Sequence, residues 1–176
     1  ASTIPNCRTF DPTYGYELAV IIQDGMKKMT EEQQDVFYYI TVMNESYQQP
    51  AMPAGVEEGI IKGMYRLEED TKEAAHHVQL MGSGTILREV REAAIILREQ
   101  FNIGADVWSV TSFNELRRDG LAVERSNRLH PGQKPKLSYV EECLTGRKGP
   151  VIASTDYMKL FAEQIRQWVP VKEFKV

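Results

Sequence analysis

The chain has 176 residues, an apolar fraction of 42%, a charged fraction of 26% and a formal net charge of −4. These values describe an ordinary globular chain with room for one sizeable domain and part of another. Acids and bases are interspersed without a basic stripe, which argues against nucleic acid as a partner. The longest apolar runs, residues 18–22 and 93–97, are too short to span a bilayer.

Residues 1–11 lack a basic region followed by an apolar core, so no signal peptide is expected. Cys7 and Cys143 share no motif and read as two reduced thiols of a cytosolic protein. The chain opens on Ala1 and closes on Phe174-Lys175-Val176, which reads as the start of an apolar strand. Because an unpaired strand edge is a liability, the expectation is a fragment of something longer.

Residues 13–29 predict a helix, with Pro12 ahead of it and Leu18, Ile22, Met26 and Met29 on one buried face. Residues 36–42, β-branched and aromatic on both faces, predict a strand in a sheet covered on two sides. Pro50 and Pro53 break the pattern and place a domain boundary near residue 50. Residues 55–67 predict a second helix, with Ile60, Met64 and Leu67 on one face and glycines at 55, 59 and 63. Such glycines either admit a close backbone neighbour or, at Gly55, merely cap the helix. Residues 68–77 read as a polar connector.

The clearest unit follows. Residues 78–81 are a strand, Gly82-Ser83-Gly84 a turn, 85–101 an amphipathic helix buried through Ile86, Val90, Ala93 or Ala94, and Leu97. Asn102 and Gly104 end that helix and residues 106–110 form the next strand, a β-α-β crossover with parallel strands. Ser112 and Glu115 cap a short helix that Asp119-Gly120 stops. A helix over 139–144, a strand over 150–154, a helix over 156–168 facing the sheet through Met158, Phe161, Ile165 and Trp168, and a strand from Phe174 complete the pattern. The alternation predicts an α/β fold of three layers on a mostly parallel sheet, preceded by a helix and strand from a partial neighbouring α/β domain.

The chemical signals are weak. The turn at Gly82-Ser83-Gly84 has Leu87 where a dinucleotide fingerprint needs its third glycine, and Asp106 lies at the wrong end of its strand for a ribose contact. The turn is read as packing. His76-His77 is read as a solvated loop pair and His130 as structural, because neither has further ligands at metal spacing. Ser154-Thr155-Asp156 sits where helix caps belong. Glu31-Glu32, Glu57-Glu58 and Glu141-Glu142 are expected to face solvent, and Arg117-Arg118 and Arg147-Lys148 to make local contacts. No residue is assigned a catalytic, cofactor-binding or metal-binding role.

Several strings closely resemble the homodimeric pyruvate dehydrogenase family of bacterial complexes. They are Thr3-Ile4-Pro5-Asn6-Cys7, residues 37–45, Pro50-Ala51-Met52-Pro53, residues 78–88, residues 108–120 and residues 153–162. Ser126 departs from the tryptophan the family usually carries after Glu-Arg. The resemblance implies residues 1–48 from the end of a pyrimidine-binding middle domain, a linker and helix over 49–77, and a truncated transketolase-type C-terminal domain over 78–176. It further implies a cytoplasmic homodimer that decarboxylates pyruvate with thiamine diphosphate and Mg²⁺. The product acetylates lipoyl groups of a dihydrolipoyl acetyltransferase. The glutamate, diphosphate-binding motif and histidines of that chemistry are not in this chain, so the segment is expected to serve as scaffold and dimer surface and to bind no cofactor alone. The readings left beside it are a non-catalytic α/β interaction module and a nucleotide-binding domain using residues 82–85.

Overall fold

The computed structural model describes residues 3–176; Ala1, on which the chain opens, and Ser2 lie outside the described residues. Two sheets organise the chain. In the first, β1 (Cys7–Phe10) and β2 (Phe37–Ile40) pair in parallel, Cys7 opposite Phe37 and Phe10 opposite Ile40. Helix α1 (Gly15–Met26), extended by a π-helical turn over Lys27–Glu31, connects them.

After a long irregular stretch come α2 (Glu57–Lys62), β3 (Tyr65–Glu68), β4 (His76–Gly82), α3 (Ile86–Phe101) and β5 (Ile103–Ser109). The chain continues through α4 (Phe113–Leu129), α5 (Tyr139–Leu144), β6 (Val151–Ser154), α6 (Lys159–Glu163), a 3₁₀ turn at Arg166–Trp168 and β7 (Phe174–Lys175). The second sheet has five strands in the order β3-β5-β4-β6-β7, parallel except for β3, which runs against β5.

Side chains alternate across the sheet as a strand requires. Val78, Leu80, Ala105 and Val107 point to α3 and pack on Leu87 and Val90. Met81, Trp108, Val151 and Ala153 point the other way, to Phe113 and Leu116 of α4, Val140 and Leu144 of α5, and Trp168. This is the expected three-layer arrangement on a mostly parallel sheet. A third cluster of Phe10, Ile21, Ile60 and Tyr65 joins α1 and β1 to α2 and β3.

The β4-α3-β5 crossover follows its sequence pattern, with Asn102 in the left-handed conformation ending α3 and Ala94 rather than Ala93 turned inward. Elsewhere the structure corrects the expectation. The helix expected over 55–67 is only one and a half turns long, because Gly63, at φ +109°, closes it and β3 begins two residues later. The connector of 68–77 is shorter than expected, since His76 and His77 already belong to β4.

Asp119-Gly120 stops nothing. Helix α4 runs through both, and Gly120 is where the Trp168 ring lies against the helix. A Cβ there would stand 2.3 Å from Trp168 Cε2. Trp168 is also tethered by Nε1 donating to Glu124 Oε1 at 3.0 Å. Gly120→Ala is therefore expected to destabilise by about 2–3 kcal/mol despite the better helix propensity of alanine. A urea denaturation midpoint unchanged from wild type would show that the ring moves freely.

The helix expected over 156–168 is a short α6 followed by a 3₁₀ turn, and Met158 is 72% exposed while Ile165 and Trp168 are buried. The buried face of α1 is also rotated. Glu17, Ile21 and Gly25 face inward, and Ile22, Met26 and Met29 face out.

Candidate functional site

Ligands of parallel α/β sheets collect beyond the carboxyl ends of the strands. Here those ends from both sheets meet at Asp11, the residue after β1. Its main-chain N–H donates to Thr111 O at 2.7 Å, and its carbonyl accepts from Gly84 N–H at 3.2 Å. Thr13 Oγ1 donates back to Gly84 O at 2.7 Å. The Gly82-Ser83-Gly84 turn therefore has a packing task, as its sequence suggested. A Cβ on Gly84 would meet Asp11 Oδ2 at 2.6 Å.

The Asp11 side chain lies among the hydroxyls of Thr41, Ser83 and Tyr157. Thr41 Oγ1 donates to Oδ1, while Oδ2 is buried and has no hydrogen-bond partner among the described residues. Burial pushes the Asp11 carboxyl above the ordinary carboxylate range, against the Thr41 hydrogen bond, and the nearby Asp156 carboxylate pushes the same way as burial.

Asp11 lines a cavity of about 110 Å³ whose walls include Phe10, Tyr39, Tyr157 and Phe161. Asn114, from the first turn of α4, lines it too, and its Oδ1 is a second buried acceptor without a partner. The hydroxyls around the cavity are engaged. Thr111 donates to Ile60 O at 2.6 Å, Ser112 to Thr9 O at 2.6 Å, and Thr9 Oγ1 accepts from Asn114 Nδ2 at 2.5 Å.

A second carboxyl, Glu17, is fully buried where α1 meets the five-stranded sheet. Oε1 accepts from Tyr65 OH at 2.7 Å and Ser109 Oγ at 2.6 Å, and Oε2 from the main-chain N–H groups of Thr13 at 2.6 Å and Tyr14 at 2.9 Å. Burial raises its pKa and the four donors oppose that. Tyr16, whose hydroxyl lies 2.6 Å from that of Tyr65, is pushed up to about 12, burial being the main cause.

At the opposite, amino end of the strands, His77 Nε2 lies 3.2 Å from Asp106 Oδ1 beside a cleft of about 510 Å³. Asp106 also accepts from Asp70 N–H at 3.0 Å and from Gln79 Nε2 at 3.1 Å, and Gln79 Oε1 accepts from Trp108 Nε1 at 2.8 Å. With every acceptor engaged, this network reads as a satisfied core rather than a reactive site. His76 and His77 are thus not a loop pair: both lie in β4, and His77 is half-buried against Asp106.

The other sequence-flagged residues are dispersed. His130 is exposed at the end of α4, with Nδ1 2.8 Å from Ser126 O. Ser154-Thr155-Asp156 does not cap α6; Thr155 Oγ1 instead accepts from Tyr157 N–H at 3.3 Å and from Ser83 Oγ at 3.1 Å. Glu31, Glu32, Glu57, Glu58 and Glu142 face solvent, whereas Glu141 turns back to Ser138 in a capping box. Arg118 donates to Pro5 O at 2.5 Å and Cys7 O at 3.0 Å, fixing the edge of the first sheet. Sequence reasoning missed Asp11, Asn114 and Glu17. The one local signal was an acid inside the apolar stretch of α1.

A model of the transketolase-like C-terminal domain matches residues 63–174. The chain belongs to that family. Residues 1–50 match a second model, the middle domain of the pyruvate dehydrogenase E1 component. The pyruvate dehydrogenase E1 component of Pseudomonas aeruginosa is 83% identical over 176 residues, all of this chain and 20% of the relative. That of Escherichia coli K12 is 54% identical over 175 residues, 99% of the chain and 19% of the relative. The chain thus spans about a fifth of the length of these relatives. A transketolase mutant from Pichia stipitis superposes with a TM-score of 0.59 at 16% identity, covering 99% of this chain and 21% of that one, a likeness of fold alone. Among the described residues no helix is long and apolar enough to cross a membrane.

Proposed function

We propose that the protein carrying this transketolase-like chain is a pyruvate dehydrogenase that decarboxylates pyruvate with thiamine diphosphate and Mg²⁺ and passes the acetyl group to a dihydrolipoyl acetyltransferase. The observation that carries this reading is the 83% identity to a pyruvate dehydrogenase E1 component across all 176 residues. In this reading residues 1–48 close the middle domain, 49–77 link, and 78–176 form the C-terminal domain. The segment supplies scaffold and the surface of a cytoplasmic homodimer.

Among the described residues no three His, Cys, Asp or Glu side chains converge as a metal site. The glycine turn faces Asp11, with Asp156 near it. No reaction step is therefore assigned to this chain.

Purified full gene product is expected to release CO₂ from pyruvate and reduce NAD⁺ with the other complex components, dependent on added thiamine diphosphate and Mg²⁺. Residues 1–176 alone are expected to do neither and to give no heat on titration with thiamine diphosphate and Mg²⁺. Failure of the gene product to decarboxylate pyruvate would overturn the activity. Cofactor binding by the isolated segment would overturn the scaffold role.

A further inference from the structure

The two matched family models, over residues 1–50 and 63–174, are joined by a stretch that looks like a flexible linker. Residues 41–53 form no helix or strand, and residues 48–52 are all exposed. Domains connected in this way move relative to one another by default, unless the interface between them is well packed and fully bonded. The joint beneath this linker is bonded at three levels.

Main chain meets main chain first. Asp11 N–H donates to Thr111 O at 2.7 Å and Gly84 N–H to Asp11 O at 3.2 Å, so the end of β1 is stitched to the turns that follow β4 and β5. A shift of about an ångström takes such bonds out of range. Buried side chains cross the joint next. Ser112 Oγ donates to Thr9 O at 2.6 Å, and Ser109 Oγ and Tyr65 OH donate to Glu17 Oε1 at 2.6 and 2.7 Å. Sliding α1 along β5 would strand a fully buried carboxyl without its donors, a costly state. Charge closes the rim. Arg8 pairs with Glu115 at 2.5 Å, and the Arg118 guanidinium holds the carbonyls of Pro5 and Cys7 at 2.5 and 3.0 Å. Phe10 and Ile21 pack on Ile60 and Tyr65 below these bonds.

We infer that the carboxyl ends of β4 and β5, with the first turns of α4, form a docking interface for residues 5–40 that holds without the linker. On this interface β1, α1 and β2 move as one body with the C-terminal sheet, and residues 48–52 act neither as a hinge nor as a needed tether. The family boundary near residue 50 is a boundary of sequence and not of motion. The inference is independent of the decarboxylase reading, because its test reads association and amide exchange rather than turnover.

A thrombin site inserted between the exposed Ala51 and Met52 of the full gene product makes the linker cuttable. After cutting, the two pieces are expected to co-elute in gel filtration and to unfold in a single transition; pieces that separate overturn the inference. Arg118→Ala distinguishes this joint from contacts elsewhere in the longer polypeptide, because it removes the bonds to the Pro5 and Cys7 carbonyls. The dissociation constant of the cut pieces, read from a dilution series, should then rise about ten- to hundredfold, the worth of a charge-assisted hydrogen bond or two. An unchanged constant means that other contacts hold the pieces, and also overturns it. Should Arg118→Ala fold poorly, amide hydrogen exchange of the uncut wild type still decides. The cross-joint N–H groups of Asp11 and Gly84 should exchange as slowly as those of Leu80 and Met81 inside β4. Exchange more than about a hundredfold faster at the joint would show that it opens on its own as a hinge.

Discussion

Gly149→Ala is expected to be the most damaging single-methyl change in the chain, costing about 3–5 kcal/mol. Gly149 enters β6 at φ +84°, and a Cβ built on it would stand 1.7 Å from the carbonyl oxygen of His77 and 3.2 Å from Val78 N. Both obstacles are main chain of β4, so no side-chain rotation relieves the contact. Relief requires β6 to draw away from β4, straining the Gln79 N–H to Pro150 O bond of 2.9 Å and the Gln79 Nε2 to Lys148 O bond of 3.2 Å.

A built-in comparison separates sterics from backbone conformation. Gly146 has φ +79° but nothing within 4 Å of its virtual Cβ, so Gly146→Ala carries only the left-handed penalty of about 1–2 kcal/mol. Domain stabilities are on the order of 5–15 kcal/mol, so Gly149→Ala should lower soluble yield and the urea midpoint sharply while Gly146→Ala shifts it modestly. Equal midpoints for the two variants would mean that the β4–β6 contact is not as tight as described.

What was legible in the sequence follows from how local each determinant is. The β4-α3-β5 unit could be read nearly residue by residue, because a 3.6-residue stripe, a left-handed Asn102 and alternating strand faces are all encoded within it. The length of α4 could not, since Gly120 looks like a stop in one dimension and becomes a notch for Trp168, 48 residues away, in three. Gly63 has the reverse history: read inside a helix, it ends one, because Ser112 O lies 2.5 Å from where a Cβ would be and the left-handed turn starts β3. The resemblance to the pyruvate dehydrogenase family, by contrast, rested on long strings rather than on structure and matched the relatives across the chain.

The candidate site was illegible for a related reason. Asp11, Asn114, Thr41 and Tyr157 are spread over almost the whole chain and share no spacing; only the meeting of two sheets brings them to one cavity. The rotation of α1 has the same origin. Hydropathy alone favours burying Leu18, Ile22, Met26 and Met29, yet the helix turns Glu17 inward, and Ile22 and Met26 are left 45% and 58% exposed. Four hydrogen bonds to one carboxyl group outweigh a partly buried apolar stripe, since each unmet buried donor would cost about 1–3 kcal/mol.

Glu17→Gln tests that balance and is expected to destabilise by about 2–4 kcal/mol at neutral pH. One amide oxygen can serve Tyr65 and Ser109, but the NH₂ group then points donors at the donating main chain of Thr13 and Tyr14, which loses its acceptor. The pH dependence has a definite sign. Burial sets the folded pKa of Glu17 above its unfolded value, so the folded state binds this proton more tightly. Stability from this group is complete below the unfolded value, about 4.3, and is lost as pH rises through the higher folded value. A glutamine has no such proton. The stability advantage of wild type over Glu17→Gln should therefore widen on acidification from neutral pH toward the usual glutamate range. Charges shared by the two proteins cancel in the difference, leaving Glu17 as its source. Urea midpoints of both at a series of pH values measure it. A gap that narrows as pH falls would mean that the four donors, not burial, set the protonation of Glu17, and that the joint between α1 and β5 is held by a carboxylate ion.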